Sequence, residues 1–214
     1  GGDDRLVGDI GNDVLLGLNG NDTMEGLNDD DRLIGGDGND FMVGNLGNDT
    51  LSGGVDDDIM RGGQNNDRMY GDNGNDLIFG DLGQDTLTGG DLNDTFSFDG
   101  TGPGVNPSPV TAPDWITDFD ALFGSDRLNL GAAGTESNFV NTGASVGTLA
   151  EAVAIADAAL TGAVIYVTVN VQNGLGPTTD NTVVFWDTDA DGDADEAIAL
   201  INSPQVLLDA GDII

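Results

Sequence analysis

The sequence predicts a chain dominated by β-structure, built as a stack of short strands joined by tight turns. Three observations carry that prediction. The stretch from Gly35 to Phe79 divides into five blocks of nine residues, GGDGNDFMV, GNLGNDTLS, GGVDDDIMR, GGQNNDRMY and GDNGNDLIF. Every block opens on Gly, holds Asp at its sixth position and places one large apolar residue at its eighth. The rest of each turn is rich in Gly, Asn and Asp, because Gly takes positive φ at no steric cost and Asn and Asp tolerate it.

The period extends well beyond these blocks. Ten full nonapeptides run from Gly8 to Ser97, after a partial one at Gly1–Val7. Position six is Asp throughout: Asp4, Asp13, Asp22, Asp31, Asp40, Asp49, Asp58, Asp67, Asp76, Asp85 and Asp94. Position eight is always apolar: Leu6, Leu15, Met24, Leu33, Met42, Leu51, Met60, Met69, Ile78, Leu87 and Phe96. One unit reads as a six-residue turn followed by three extended residues, the middle one pointing inward. A strand that short cannot fold alone, so units must stack and bury the eighth residue between equivalents. With a turn at each end of a strand, two successive repeats complete one coil.

Stacking then brings Asp residues two repeats apart, such as Asp40 and Asp58, to about one strand spacing, roughly 4.8 Å. Carboxylates that close repel unless a cation lies between them. Turn carbonyls face the same gap. An all-oxygen environment of this kind suits Ca²⁺ better than Mg²⁺, which keeps its waters. The Met residues at position eight read as core rather than as copper ligands. The Arg residues at positions seven and nine read as neutralising a solvated face.

Composition narrows the function. The 214 residues carry 39 acidic and 5 basic side chains, a formal charge of −34, and no Cys or His. Disulfides, Cys/His zinc sites and His- or Cys-based catalysis are excluded. Nucleic acid finds no basic patch, and an anionic membrane would repel the chain. No apolar run approaches the roughly 20 residues that span a bilayer. Acidic composition alone suggests disorder, yet 38% of residues are hydrophobic and fall at fixed intervals in the first half. Disorder is therefore expected only without a counter-cation. No signal peptide or initiator Met is present, and the chain opens inside a repeat, which reads as a fragment or processed form.

The pattern G-G-x-G-x-D-x-apolar-x resembles the repeats-in-toxin (RTX, haemolysin-type) family of calcium-binding nonapeptides. The resemblance implies a right-handed parallel β-roll over residues 1–98. It also implies a ligand set: carbonyls at positions two and four with the Asp of one repeat, and carbonyls at positions one and three with the Asp of the next repeat but one. A central site would be Gly36, Gly38 and Asp40 with Gly53, Val55 and Asp58. Its neighbour would be Asn45, Gly47 and Asp49 with Gly62, Gln64 and Asp67. Along the array the same rule marks Gly11, Gly20, Gly35, Asp37, Gly44, Leu46, Gly54, Asp56, Gly63 and Asn65. Towards the end it marks Gly71, Asp72, Asn73, Gly74, Gly80, Leu82, Gly89 and Asp91. Eleven turns allow at most nine stacked pairs, and about six to nine occupied calcium sites are expected, weakest at the two ends. Leu92 departs from the pattern at position four, so the last turn is expected to distort and the roll to end there.

Residues 99–113 are rich in Gly and Pro and read as a linker. Residues 114–214 then form a mixed, mostly β capping domain with one short helix. Its opening, Asp114-Trp115-Ile116-Thr117-Asp118-Phe119 and then Gly124-Ser125-Asp126-Arg127-Leu128-Asn129-Leu130, resembles the segment that follows the roll in secreted RTX proteins. Trp115, Ile116 and Phe119 can cover the open end of the roll. A capping box at Thr148–Glu151 opens an Ala-rich helix through Leu160. Strands are expected over Ala163–Val171, Asn181–Asp187 and Glu196–Ile201. The run Asp187–Asp195 is either a hairpin turn or a further calcium loop that lacks its twelfth-position Glu.

By the resemblance, the C-terminal stretch carries an uncleaved type I secretion signal, and the type I secretion machinery is a partner. The expected role is calcium-dependent folding outside a bacterial cell, secreted or at its surface. No catalytic constellation is visible, although Asp118, Asp120 and Asp126 offer acid–base groups, and this chain is read as non-enzymatic. The competing readings are the non-catalytic C-terminal part of an RTX exoenzyme (protease, lipase or epimerase), and a surface-layer or adhesin module marked by calcium-dependent self-association.

Overall fold

A computed structural model describes residues 1–98, 114–119, 126–129, 139–146, 166–172, 180–186 and 196–200. The repeats form β1 (Arg5–Val7), β2 (Val14–Asn19), β3 (Thr23–Asn28), β4 (Arg32–Asp37), β5 (Phe41–Leu46) and β6 (Thr50–Val55). They continue as β7 (Ile59–Gln64), β8 (Arg68–Asn73), β9 (Leu77–Leu82), β10 (Thr86–Asp91) and β11 (Thr95–Ser97). Next come β12 (Asp114–Ile116), β13 (Arg127–Asn129), β14 (Phe139–Val146), β15 (Tyr166–Gln172), β16 (Asp180–Trp186) and β17 (Glu196–Leu200). The described residues contain no helix long and apolar enough to cross a membrane.

Alternate repeats belong to opposite sheets, as a coil of two repeats requires. One sheet runs β1-β3-β5-β7-β9-β11-β13, and the other runs β14-β15-β16-β17-β12-β10-β8-β6-β4-β2. All pairings between repeats are parallel, in a register that stacks position eight on position eight: Leu33 on Leu51, Met42 on Met60, Met60 on Ile78. From Met24 to Phe96 every position-eight side chain is fully buried. The core of the roll is thus two facing columns of single residues, closed at the far end by Ile116, Phe119 and Leu128. Phe119 meets Phe96 with ring centroids 6.1 Å apart.

Two expectations are corrected. The strands hold six residues in most repeats rather than three, and the turn shrinks to the three residues at positions four to six. The added strand half begins at the position-one Gly, which faces inward like position eight, as the alternating burial of Phe41–Leu46 shows. Without a side chain there, the inward face stays extended and leaves room for the Asp five residues on. Leu92 does not end the roll. It takes φ 87°, as Leu18 and Leu27 take 79° and 86°, with its side chain 63% exposed. Left-handed strain at one residue costs about 1–2 kcal/mol, less than the parallel ladder and the burial of Phe96 return. The stack continues through β12 on β10 and β13 on β11.

Beyond the roll, β15, β16 and β17 pair antiparallel, and β17 joins β12 in parallel. These strands coincide with the three expected ones to within three residues. β14 was not expected, because Asn141, Thr142, Gly143 and Ser145 dilute its apolar alternation. The linker, the helix at 148–160, the acidic run 187–195 and the C-terminal stretch 205–214 lie outside the described residues.

Candidate metal centre

Each turn sets one Asp under tight control. Its backbone N–H donates to Oδ1 of the equivalent Asp two repeats on: Asp40 to Asp58 at 2.8 Å, Asp49 to Asp67 at 2.8 Å, Asp67 to Asp85 at 2.7 Å. Its backbone carbonyl accepts from the residue after that same Asp, as Asp40 does from Ile59 at 2.9 Å. Asp22, Asp31, Asp40, Asp49, Asp58, Asp67, Asp76, Asp85 and Asp94 are all buried. Asp13 is half-buried, and Asp4 is exposed at the open start of the stack.

The second carboxylate oxygen is left over. Oδ2 is buried without a hydrogen-bond partner in every position-six Asp from Asp22 to Asp94. Leaving one such charged oxygen unsatisfied in a dry site is expensive, and a column of them is not a stable arrangement by itself. Each Oδ2 lies against the position-one Gly of its own repeat. A Cβ placed on Gly35 would lie 2.1 Å from Asp40 Oδ2 and 2.5 Å from the Gly53 carbonyl oxygen. The same pairing recurs at Gly44 with Asp49 and Gly62, and at Gly53 with Asp58 and Gly71. One carboxylate oxygen and one carbonyl oxygen therefore face a common point in the turns from Gly8 to Gly71. Among the described residues no three carboxylates gather at one place, so any coordination shell must draw on carbonyls or water as well. The donor set is oxygen only, which fits a hard cation such as Ca²⁺ and not Zn²⁺ or Cu²⁺.

The remaining candidate residues fall into place by position. Position two holds positive φ at Gly36, Asn45, Gly54, Gly63, Asp72 and Gly90, which turns its carbonyl toward the residue stacked above. A Cβ on Gly54 would lie 2.2 Å from the Gly36 oxygen, and one on Gly63 would lie 2.3 Å from that of Asn45. Position four holds positive φ at Gly11, Gly20, Gly38, Gly47, Asp56 and Asn65. The position-three carbonyls of Asp37, Val55, Gln64 and Asp91 each accept the N–H of position four from two repeats earlier, at 2.8, 3.1, 3.3 and 3.2 Å. Leu46, Asn73 and Leu82 occupy the same position in their strands. Of the carbonyls expected as ligands, those at positions one to three lie in the strands, and those of Asp37, Val55, Gln64 and Asp91 already hold one hydrogen bond.

Burial raises the carboxyl pKa along the column, since desolvation disfavours the charged form. Asp31 and Asp40 are raised, Asp49 and Asp76 reach about 6, and Asp85 and Asp94 about 7. Asp58 reaches about 8 and Asp67 about 9. The backbone N–H of the preceding Asp pulls each value down, and for most of them the stacked carboxylates push it up again. Asp58 and Asp67, at the middle of the column, therefore hold their protons at neutral pH unless something positive sits beside them.

Two features escape sequence reasoning. Asp85 N–H donates to Asp114 Oδ1 at 2.7 Å, and Asp94 N–H donates to Asp126 Oδ1 at 3.0 Å. Asp114 and Asp126 thereby take the place of an Asp at position six. Their signal is present, since Asp114-Trp115-Ile116 and Asp126-Arg127-Leu128 repeat the D-x-apolar spacing, but the linker breaks the period. The second feature is a ladder at position five. Asn75 N–H donates to Asp57 Oδ1 at 2.8 Å, and Asn93 N–H donates to Asn75 Oδ1 at 3.3 Å. This ladder runs opposite to the Asp column and needs no cation. Asn75→Ala breaks its side-chain bonds to Asp57 and Asn93 and is expected to cost about 1 kcal/mol, read as a lower urea midpoint in saturating calcium with the number of bound ions unchanged.

The RTX calcium-binding nonapeptide repeat matches in four copies, at residues 1–33, 25–60, 34–69 and 61–96. No curated protein matches the chain. Among solved structures, the AlgE6R3 subunit of the Azotobacter vinelandii mannuronan C5-epimerase is 20% identical, over 95% of this chain and 78% of that one, with a TM-score of 0.35. The matched repeats coincide with the parallel stack and with its column of buried aspartates, and residues 1–96 belong to the family of RTX calcium-binding nonapeptide repeats.

Proposed function

We propose that this chain is the calcium-binding module of a secreted RTX protein, one that folds when it meets external Ca²⁺. The observation that carries the reading is the column of buried Asp Oδ2 atoms without hydrogen-bond partners. Without a cation, a chain of charge −34 repels itself and its carboxylates cannot be buried ionised. At the low calcium of a cytosol it stays extended and fit for export. Outside, calcium neutralises the column, and binding free energy becomes folding free energy. The ligand set is the one given above, for example Gly36, Gly38 and Asp40 with Gly53, Val55 and Asp58, in a roll over residues 1–98. Residues 114–214 cap the roll, and the C-terminal stretch addresses a type I secretion system.

Circular dichroism with calcium titration tests the folding step. β-sheet signal is expected to rise cooperatively from chelator to millimolar calcium and to be lost again on adding chelator. An unchanged spectrum across that range sinks the reading. The secretion address is checked by fusing the C-terminal segment to a passenger in cells that carry a type I exporter, where passenger in the medium is the expected result. A surface-layer module would instead self-associate in calcium, visible in light scattering.

A further inference from the structure

We propose a cation site at the junction of roll and cap, made by Asp85 and Asp114, that fastens the cap to the roll. It rests on the reading that the roll binds calcium, and it places an ion beyond the repeats themselves. Three observations carry it. Asp85 is 0% exposed and its Oδ2 has no hydrogen-bond partner. Asp114, 29 residues on, is also 0% exposed and accepts the Asp85 N–H at 2.7 Å, the bond by which each Asp of the roll meets the next. The two Oδ2 atoms also converge. A Cβ placed on Gly80 would lie 2.6 Å from Asp85 Oδ2 and 3.2 Å from Asp114 Oδ2.

Lower in the roll the equivalent point is faced by one carboxylate oxygen and one glycine carbonyl, as at Gly35 and Gly53. At Gly80 no carbonyl oxygen comes as near, and the second oxygen to face the point is that of a carboxylate. Two carboxylates that face one point in a dry site repel unless a positive charge lies between them. Both donors are hard oxygens, so the ligand is a hard cation of the calcium class. The consequence is structural. Asp114 opens β12, which pairs with both β10 and β17, so an ion here ties the last repeat strand of that sheet to the strands of the cap.

Terbium luminescence with the full chain tests the site. Trp115 follows Asp114 and pairs with Thr86, so Tb³⁺ bound there should be sensitised by its indole. Trp-excited emission is expected in the wild type and lost in Trp115→Phe. Asp114→Asn keeps an oxygen for the Asp85 N–H and is expected to lose the emission, with one calcium fewer per chain by native mass spectrometry. Asp85→Asn, altered on the roll side, should lose the emission too, which covers the case that Asp114→Asn leaves the cap unfolded. Asp40→Asn, far down the roll, should lower the ion count yet keep the emission. Emission and ion count unchanged in Asp114→Asn, or emission that survives Trp115→Phe, overturns the site while the roll still binds calcium. No cation binding by the wild type would overturn the roll reading as well, so the two failures are told apart.

Discussion

In chelator, the chain is expected to gain β-sheet signal as pH falls from 9 to 5, the reverse of ordinary acid denaturation. Asp58 and Asp67 stand at about 8 and 9 in the folded chain, and Asp85 and Asp94 at about 7, against 3.8 for an ordinary Asp. The folded state therefore binds more protons than the unfolded one across this window, and stability falls as pH rises. Below 3.8 the carboxyls are protonated in both states, and burial carries no ionisation cost. Between about 6 and 9 the folded state must either hold protons or ionise in a dry site, and the fold is lost as pH climbs through those values. In saturating calcium the ion replaces the protons, so the signal should be flat from pH 6 to 9. Sedimentation alongside the spectra separates folding from precipitation near the sequence pI of about 4.1. Equal β-signal at pH 5 and pH 9 in chelator would show that the aspartates are not buried as described.

Gly53→Ala is expected to damage the roll severely, although it adds only a methyl group. Gly53 faces inward, and a Cβ there would lie 2.2 Å from Asp58 Oδ2 and 2.8 Å from the Gly71 carbonyl oxygen. Neither can retreat. The Asp58 side chain is held by the Asp40 N–H, and Gly71 belongs to β8 in the stacked ladder. Overpacking of a close-packed interior costs about 1–3 kcal/mol, and displacing a carboxylate held by its own hydrogen bond adds to that. The expected result is a loss of about 3 kcal/mol or more in calcium, with a raised calcium midpoint for folding. Gly2→Ala serves as the control, because a Cβ on Gly2 would meet nothing within 4 Å, and its effect should stay within about 0.5 kcal/mol. Equal midpoints for the two variants would mean that the position-one glycines matter for turn formation alone and not for the space beside the aspartate.

The two results probe different aspects of one arrangement. Acid removes the charge that the column cannot hold unaided, and alanine removes the room in which the charged oxygen sits. Position one is Gly in all ten full repeats, and the structure gives the reason. Its missing side chain is where the Asp of the same repeat puts Oδ2. From the sequence the glycine reads only as a turn residue, because inward and outward cannot be assigned until the strand length is known.

Much of this architecture is legible in the chain alone, because it is local and repeated. A period of nine with Asp at six and an apolar residue at eight decides that the unit is a turn plus a strand. It decides that two repeats make a coil, which residue enters the core, and that any ion must be held by oxygen. What lies between residues far apart in sequence had to come from packing. The strands reach six residues because stacked neighbours supply their hydrogen bonds. Leu92 is held at positive φ because the ladder on either side outweighs one strained residue. The carboxylates divide their labour, Oδ1 to a backbone N–H and Oδ2 to an open point, only once the repeats are superposed. Asp114 and Asp126 rejoin the column across gaps of 29 and 32 residues, which no nine-residue period can reveal. Periodicity reports what each unit does with its nearest copies, and only the tertiary structure reports which distant segment completes the last of them.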